Sequence, residues 1–444
     1  MRFLHLFLSL FISSNLLALP PSPQGVRWTV KATANYVSTL KKVTDVMVYD
    51  VTSPVASARY YAYVTLSAYE VLSQTNPMRY PSMAPTLKMT AIQIDEISIQ
   101  GVDVEQAVLL AILKAGEKLL PSGQKLKTEI DAVVQYSASK DQATTEKSAV
   151  LADKVVSNIV KWATNDGFRQ LNNLQRYTPK SAPEFWKPTA PAFMAPVEPH
   201  WHKVRTFLLD SAQQFKPLSP TPYDLTPGSF FYRQVKEVQD VVNAKNKKQQ
   251  QIAEFWDCNP YAISQMGHVE FGTKKISPGG HWIGIAGIFC KKAKAPFEKT
   301  VLVHALLSVT MHDALIACWD EKYRSNRVRP ETVINQLFDP LWRPLLQTPP
   351  FPEYVSGHSV VSSASAIVLS RFFGNKKRFT DDTEVEFGLP KRTFESFQQA
   401  ADEACISRLY GGIHYMDAIE QGKWQGKRVG EWAVKKLADY FSIP

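Results

Sequence analysis

Apolar residues recur along most of this 444-residue chain at the three- and four-residue spacing of amphipathic helices. Val104, Ala107, Val108 and Ala111, for example, fall on one helical face. A break is expected near Ser137–Asp141, inside a segment that is long for one helix. Convincing alternation of apolar and polar residues, which is typical of strands, is absent. The pattern therefore predicts a helical protein, with helices over Lys31–Asp50, Val55–Gln74, Val104–Leu120, Gln124–Thr164, Ser229–Trp256, Lys299–Lys322, Ser359–Phe373 and Met416–Phe441.

Proline-rich connectors interrupt this helical pattern and suggest how the chain is organised. The first two connectors along the chain divide it into two predicted parts. These are an N-terminal helical layer with a proline-rich arm over residues 20–220 and a motif-bearing helical core over residues 221–444. Aromatic residues in and just after the first connector are expected to pack against the rest of the protein; they are Phe185, Trp186, Phe193 and Trp201. The connectors are Pro179–Pro199, Pro217–Pro227 and Pro340–Pro352.

Residues 1–19 have the pattern of a secretory signal peptide. Arg2 supplies a positive charge, and a short apolar run, Phe3–Leu19, follows it. The run contains Asn15 and three serines, so it matches a cleaved signal better than a membrane-spanning helix. No later segment has eighteen unbroken apolar residues. We therefore expect an exported protein that is not embedded in a membrane.

The net charge is positive, but its distribution argues against a nucleic-acid partner. Fifty-one Lys and Arg residues against 41 Asp and Glu residues give a formal charge of +10. Such a surface would attract anions such as phosphate, vanadate or halide. A nucleic-acid surface would need a clustered basic patch, and the basic runs Lys245–Lys248 and Lys291–Lys294 are short.

The four cysteines are expected to have two different environments. An oxidising compartment allows disulfides, and Cys258 with Cys290 is the first candidate for such a pair. Cys318 and Cys405 lie in apolar helical segments. We expect these two residues to be buried thiols.

Three short motifs in the last third of the chain combine cations, histidines and small residues. Guanidinium groups and a lysine match the oxygens of a tetrahedral anion such as phosphate or vanadate. Free N–H groups at the start of a helix would face the same anion. One imidazole can bond to its central atom, and the other can transfer a proton. The motifs are Lys322-x6-Arg329-Pro330, Ser356-Gly357-His358 and Ser407-Arg408-x5-His414.

Each motif residue also has a structural interpretation when it is taken singly. Most Lys and Arg side chains are solvated, and Ser356 could be only the N-cap of the following helix. His358 and His414 could be hydrogen-bonded groups near the core. The ordered combination of three motifs is what favours an anion site. Among the other histidines, His281 could line the pocket, but a structural role is the more common one.

The motifs resemble the signature of the vanadium-dependent haloperoxidases, which share fold and site with the type 2 phosphatidic acid phosphatases and bacterial acid phosphatases. The resemblance covers Asp313–Gly430 and implies an all-α architecture of helix bundles, with the anion site between core helices. It implies vanadate as the cofactor, with phosphate able to occupy the same site. It also implies that His414 is the vanadium ligand and that His358 transfers protons. The cofactor-binding residues implied beside His414 are Lys322, Arg329, Ser356, Gly357 and Arg408.

Two residues depart from the family pattern, and two aromatic residues match it. Val355 stands where many members have proline, which would stiffen the loop rather than touch the anion. Phosphatase-type members place an Asp four residues after the last histidine. Here Asp417 follows by three, so it either orients the imidazole or only favours the first turn of the next helix. Trp319 and Phe351 match the residues that border the side from which halide approaches.

Two activities fit such a site. The first is that of a vanadate-dependent haloperoxidase, which oxidises halide with hydrogen peroxide to hypohalous acid and thereby halogenates an organic acceptor. The alternative is an exported phosphomonoesterase, in which His414 would form a phosphohistidine and His358 would protonate the leaving oxygen. The exported context, the aromatic pair and the changed Asp spacing favour the first. The expected partners are small molecules, and the sequence predicts neither the halide nor the oligomeric state.

Overall fold

A computed structural model describes residues 30–95, 99–191, 193–266 and 269–443, with the backbone alone for residues 263–266 and 269–273. The predicted signal peptide, residues 1–19, lies outside the described residues. Within them the chain forms fourteen α-helices, namely α1 Val30–Tyr49, α2 Pro54–Thr75, α3 Val104–Leu119, α4 Lys127–Ala138, α5 Gln142–Thr164, α6 Phe230–Asn243, α7 Lys247–Phe255, α8 Pro278–Lys292, α9 Phe297–Ser325, α10 Pro330–Leu337, α11 Gly357–Phe373, α12 Phe397–Tyr410, α13 Met416–Lys436 and α14 Ala438–Phe441. Two antiparallel hairpins pair β1 Ala262–Met266 with β2 Val269–Thr273, and β3 Phe379–Asp381 with β4 Arg392–Phe394.

The predicted all-α fold is confirmed, although the two hairpins were not expected. Strands of three to five residues are too short to show a clear alternation. The break between α4 and α5 lies where it was predicted. The single helix predicted over Ser229–Trp256 is two helices, because Asn246 caps a new one and accepts from the N–H groups of Lys248 and Gln249.

Three helices, α8, α10 and α12, were not predicted. Helix α8 begins with Ser277 as its N-cap and Pro278 in its first turn, which are favourable positions for both residues. Gly279 and Gly280 follow directly, and glycine is a poor helix former. The burial of this helix in the core therefore outweighs its weak intrinsic preference.

Helix α9 is the central helix of the protein. It packs against α1, α2 and α8 on one side and against α11 and α13 on the other. By length and composition α9 could cross a membrane, but its apolar window is completely buried inside the protein. The largest apolar cluster includes Val64 of α2, Leu306 of α9 and Val361 of α11. This core is continuous across residue 220, and the division of the chain at that position stays a prediction.

The proline-rich arm packs against the segment that carries the first motif. The N–H of Trp186 donates to the carbonyl of Asn326 over 2.9 Å. The carbonyl of Val197 accepts from Nε1 of Trp319 over 3.3 Å. Trp186 is fully buried, as predicted, whereas the prediction that Phe193 packs is wrong because 66% of that residue is exposed.

The predicted disulfide between Cys258 and Cys290 is not formed. All four cysteines are free and buried, which confirms the prediction for Cys318 and Cys405. The Sγ atom of Cys258 lies 3.3 Å from Nδ1 of His281. The thiol of Cys258 therefore belongs to a polar cluster, while Cys290 is packed in the apolar core.

Gly426 allows α13 to approach α11 closely. A Cβ atom at this position would lie 2.2 Å from the carbonyl oxygen of Val360. We expect Gly426→Ala to lower the free energy of unfolding by about 1–3 kcal/mol, although alanine favours helices. Gly279→Ala is the control, since the nearest atoms to its Cβ would be 3.9 Å away. Urea denaturation measures both, and equal stability of the two variants would contradict a tight contact at Gly426.

Candidate active site

Helix ends and loops bring the three sequence motifs to one place. Lys322 is in the last turn of α9, Arg329 directly precedes α10, and Ser356 is the N-cap of α11. Arg408 is in the last turn of α12, and His414 lies in the loop before α13. A cavity of about 40 Å³ lies at this junction. Its lining includes six of the predicted site residues, Trp319, Phe351, Gly357, His358, Arg408 and His414.

Three buried cations lie at this site: Arg408 lines the cavity, whereas Lys322 and Arg329 lie behind its lining residues Phe351 and His414. Lys322 and Arg329 are fully buried, and Arg408 is 2% exposed. Nζ of Lys322 donates to the carbonyls of Pro352 and Glu353, at 3.0 Å each. Nη2 of Arg408 donates to main-chain carbonyls of the segment that follows α7 and of α7 itself. Within the described parts of the chain, none of the three cations has a carboxylate at ion-pair distance.

Two buried nitrogen atoms at the site lack any hydrogen-bond partner among the described residues. They are Nη2 of Arg329 and Nε2 of His358. The other nitrogens of Arg329 are satisfied, since Nε donates to the carbonyl of Phe351 over 3.0 Å and Nη1 to that of Ile413 over 2.8 Å. A buried donor without an acceptor is costly. Nη2 of Arg329 therefore suits a bound group that carries several oxygens, and Nε2 of His358 is available for proton transfer at the same site.

The ionisation of the site follows from its burial. Burial, together with the nearby charge of Arg329, lowers the pKa of Lys322 to about 7. Burial likewise lowers the pKa of Arg329 to about 10 and moves the pKa of Arg408 downwards. A tetrahedral oxyanion would compensate the three cations and accept from the unpartnered Nη2 of Arg329. The residues present thus fit vanadate or phosphate.

His414 has a defined tautomer. Its Nδ1 lies 2.7 Å from Oε1 of Glu353, and its Nε2 lies 3.1 Å from Nη1 of Arg329. Nδ1 therefore carries the hydrogen and donates to the carboxylate, while Nε2 keeps a lone pair. Burial and the neighbouring cations Arg329 and Lys322 hold the pKa of His414 well below its usual range. A neutral imidazole with a lone pair on Nε2 is what a metal ligand requires, and here Nη1 of Arg329 donates to that lone pair.

Glu353 is the main residue of the site that the sequence analysis missed. Besides His414 it accepts from the N–H of Tyr415 over 3.0 Å and from Nε of Arg327 over 2.7 Å. It is fully buried. A glutamate in the apolar run three residues before Ser356 was the available signal, because buried carboxylates are rare without a partner.

Asp417 does not contact His414 directly. It forms a bidentate ion pair with Arg327, at 2.5 and 2.7 Å, and accepts from Thr221. Arg327 in turn binds Glu353, so Asp417 reaches the imidazole through two intervening side chains. It also lies in the first turn of α13, where a negative charge is favourable.

The start of α11 supplies hydrogen-bond donors to the cavity. The Oγ of Ser356 accepts from the N–H of Ser359 over 3.3 Å, as expected of an N-cap. Its own O–H remains free to donate to an anion. Gly357 is the first helical residue, so its N–H has no acceptor within the helix. A Cβ at Gly357 would meet Trp319 only at 3.6 Å, so the surrounding atoms do not demand glycine here.

Trp319 and Phe351 form an aromatic wall beside the cations. Their ring centroids are 5.0 Å apart, and the rings are tilted by 50°. Nζ of Lys322 lies 5.1 Å from the centroid of Phe351. His281, in contrast, is absent from the lining of this cavity and is buried beside Cys258 and Asp381. The structural interpretation of His281 is therefore the correct one for this cavity.

The lowered pKa of Lys322 predicts how anion binding depends on pH. Sulfate remains a dianion from about pH 6 to 9, so its affinity reports the protein alone. Below about pH 7 Lys322 is already protonated in the free protein. Above about pH 7 the binding of sulfate must be accompanied by uptake of a proton on Lys322. The affinity for sulfate should therefore fall by up to about tenfold per pH unit. Isothermal titration calorimetry of the wild type and of Lys322→Met measures this. The variant should show a flatter profile, and a wild-type affinity constant over this range would contradict the prediction.

Comparison with known proteins supports the chemistry that the geometry suggests. Residues 302–340 and 338–443 match the family model of the VCPO second helical-bundle domain. A structure described as the first bacterial vanadium-dependent iodoperoxidase has 43% identity and a TM-score of 0.86, covering 91% of this chain and 96% of that chain. A holo-type bacterial vanadium-dependent chloroperoxidase shares the fold, with 16% identity, a TM-score of 0.65, and coverage of 88% and 93%.

The apo-type structure of a bacterial vanadium-dependent chloroperoxidase is similar to the same extent, with 15% identity, a TM-score of 0.64, and coverage of 88% of this chain and 95% of that chain. No curated protein matches the sequence significantly. The iodoperoxidase match extends over nearly the whole of both chains, and the motifs that carry the resemblance meet around one cavity. This chain belongs to the vanadium-dependent haloperoxidases.

Proposed function

We propose that this haloperoxidase oxidises iodide with hydrogen peroxide, using vanadate held between Lys322, Arg329, Arg408 and His414. The observation that carries the proposal is the trio of buried cations near Nε2 of His414, none of which has a carboxylate at ion-pair distance among the residues that the structure describes. The 43% identical relative described as an iodoperoxidase supports iodide as the halide. The overall reaction consumes iodide, hydrogen peroxide and a proton, and it gives hypoiodous acid and water.

Different side chains bind different parts of the cofactor. The three cations neutralise its negatively charged oxygens, and the O–H of Ser356 and the N–H of Gly357 add neutral donors. His414 offers Nε2 as the ligand, while its Nδ1–H is held by Glu353. A histidine whose other nitrogen donates to a carboxylate is fixed in orientation and is a stronger base.

His358 is the residue placed to move a proton. Burial and the nearby Arg408 hold its pKa well below the usual range, so its unpartnered Nε2 is able to accept a proton from hydrogen peroxide. Bound vanadate supplies Lewis acidity, which activates peroxide without a change in the oxidation state of the metal. After peroxide is cleaved, the protonated His358 can return its proton to the departing oxygen.

The aromatic wall supports iodide rather than chloride as the substrate. Trp319 and Phe351 exclude water from one side of the cavity. Iodide is larger, more polarisable and less strongly hydrated than chloride, so its transfer to an aromatic surface costs less free energy. Export of the protein remains a further proposal, which rests only on the signal-like residues 1–19.

The activity is tested by paired assays on protein that is stripped of oxyanions and then reloaded. Added vanadate should raise peroxide-dependent iodide oxidation, and excess phosphate should suppress it because both anions need the same cations. Iodide should react faster than bromide or chloride. Aryl phosphate hydrolysis is measured in parallel. Rapid phosphate-ester turnover that vanadate inhibits, without halide oxidation, would favour the phosphatase alternative and reject this proposal.

The two histidines are expected to respond differently to substitution. His414→Ala removes the ligand atom and should abolish stable vanadate binding. His358→Ala should still bind vanadate but lose turnover by about 10²–10⁴-fold. Vanadate retained after dialysis and the oxidation rate per bound vanadate separate the two effects, with His200→Ala, outside the cavity, as the control. If His358→Ala lost vanadate binding but kept a normal oxidation rate per bound vanadate, His358 would be the ligand and His414 the proton-transfer residue.

Glu353 is expected to strengthen vanadate binding through His414. Glu353→Gln preserves the shape of the side chain but weakens its hold on Nδ1, and vanadate affinity should fall by about 10–100-fold. Glu331→Gln is the matched control, since Glu331 is also buried, accepts from Thr348 and does not line the cavity. Equilibrium dialysis with vanadate measures both variants. Similar affinities for both would show that Glu353 only supports the fold.

A further inference from the structure

A second polar cluster lies behind the wall of the vanadate cavity. Cys258 is 2% exposed, His281 is fully buried and Glu384 is 1% exposed. The three residues come from distant parts of the chain, namely the segment after α7, the first turn of α8 and the connection between β3 and β4. None of them has a role in the proposed halide oxidation. Burial of a thiol, an imidazole and a carboxylate together requires a reason.

The donor atoms of these residues converge on one point. Sγ of Cys258 and Nδ1 of His281 are 3.3 Å apart, Nδ1 and Oε1 of Glu384 are 3.2 Å apart, and Sγ and Oε1 are 4.0 Å apart. The centre of the circle through the three atoms is about 2.1 Å from each of them, as calculated from those distances. Zinc binds N and O at roughly 2.0–2.2 Å and S at about 2.3 Å. The triangle therefore has the dimensions of a three-ligand zinc centre.

The second nitrogen of the histidine is oriented as it is in metal sites. Nε2 of His281 lies 2.8 Å from Oδ2 of Asp381. Oδ1 of the same carboxylate accepts from the N–H and O–H of Thr383, at 3.0 and 2.7 Å. Asp381 thus fixes the hydrogen on Nε2 and leaves the lone pair of Nδ1 facing Cys258 and Glu384. Such a carboxylate–histidine pair is the usual outer support of a metal-bound imidazole.

The lone pair on Nδ1 faces an acceptor, which calls for a positive species between them. A carboxylate oxygen of Glu384 lies 3.2 Å from Nδ1, and two acceptors at that distance repel unless a proton or a cation is shared. A proton on Nδ1 would satisfy one neighbour well. A divalent cation would satisfy Nδ1, the thiolate and the carboxylate at once, and its two charges would balance the two anionic ligands.

We propose that Cys258, His281 and Glu384 form a binding site for a divalent transition metal ion, with Zn²⁺ the best match to their S, N and O donors. A second cavity, of about 600 Å³, lies next to the site, since its lining includes Gly280, Thr383 and Val385, which are chain neighbours of the cluster residues. This cavity also reaches the partly exposed side chains of Lys41 and Glu386.

The site is connected to the vanadate cavity through Trp256. The indole ring of Trp256 stacks on His281, with centroids 4.5 Å apart and an angle of 20° between the rings. The carbonyl of Trp256 accepts from Nη2 of Arg408 over 2.8 Å. Cys258 itself lines the vanadate cavity. A metal bound here would therefore hold the segment that positions Arg408, so its role is structural and not redox-active.

Cobalt titration of the full chain, stripped of metal and kept free of vanadate, tests this site directly. Co²⁺ should bind at one equivalent and give the near-ultraviolet charge-transfer absorption of a cobalt–thiolate bond, and Zn²⁺ should displace it. Cys258→Ser should abolish this absorption, whereas Cys290→Ser, which alters an equally buried thiol outside the cluster, should leave it unchanged. Asp381→Asn should weaken Co²⁺ binding by about 10–100-fold.

The outcomes separate this proposal from that of halide oxidation, because no step of the titration depends on vanadate or peroxide. Absence of the thiolate absorption in folded wild-type protein would overturn the metal site and leave a cluster that shares a proton. The same absorption in Cys258→Ser would place any bound metal elsewhere and would also overturn it. If Cys258→Ser does not fold, the wild-type spectrum and the affinity of Asp381→Asn still decide the question.

Discussion

The structure of the site depends on the burial of Lys322, Arg329 and Arg408 close to one small cavity, where no carboxylate of the described residues lies at ion-pair distance from them. Removing one cation from water costs several kcal/mol even after relaxation, by rough estimate, and mutual repulsion adds to that cost. Main-chain carbonyls solvate part of each charge. The rest of the cost must be offset by packing of the surrounding helices and by a bound oxyanion.

The helices around the cavity are arranged to support this charge. Helix α9 carries Lys322 and is held from all sides by α2, α8, α11 and α13. The proline-rich arm closes the outer side through the bond between Val197 and Trp319. A second row of charges, Glu353, Arg327 and Asp417, fixes the imidazole of His414 from behind. Arg327 is shared between the two carboxylates, so this row offsets only part of the positive charge of the site.

The sequence predicted the motifs and the long helices because both depend on local spacing. Lys322, Arg329, Ser356, Arg408 and His414 fall at the intervals of a known signature, and α9 and α11 are long apolar segments. The interaction of Glu353 with His414 could not be predicted in this way, because it joins residues that are 61 positions apart.

The candidate disulfide between Cys258 and Cys290 is not formed, and the sequence could not show this because the contact partners of a cysteine depend on tertiary packing. The neighbour of Cys258 is set by the packing of α8 against the connection between β3 and β4, and its spacing from Cys290 along the chain carries no information about that packing. Helix α8 was not predicted because the glycines at its start disfavour a helix, which tertiary packing nevertheless stabilises.

The same cage of cations suits a phosphate ester and a vanadate cofactor, so fold and motif alone do not separate the two chemistries. Nearly full-length similarity to a vanadium-dependent iodoperoxidase places this chain on the haloperoxidase side. Within the cage, the feature that favours halide oxidation is the aromatic wall of Trp319 and Phe351. The carboxylate behind His414 orients the imidazole and suits either chemistry.

A crystal structure of the full chain soaked with orthovanadate would test the central claim most directly. The account predicts vanadium bonded to Nε2 of His414, with oxygens that contact Lys322, Arg329 and Arg408 and a new partner for the unsatisfied Nη2 of Arg329. Vanadium bound at any other position, or a cavity that stays free of vanadate at saturating concentration, would contradict it.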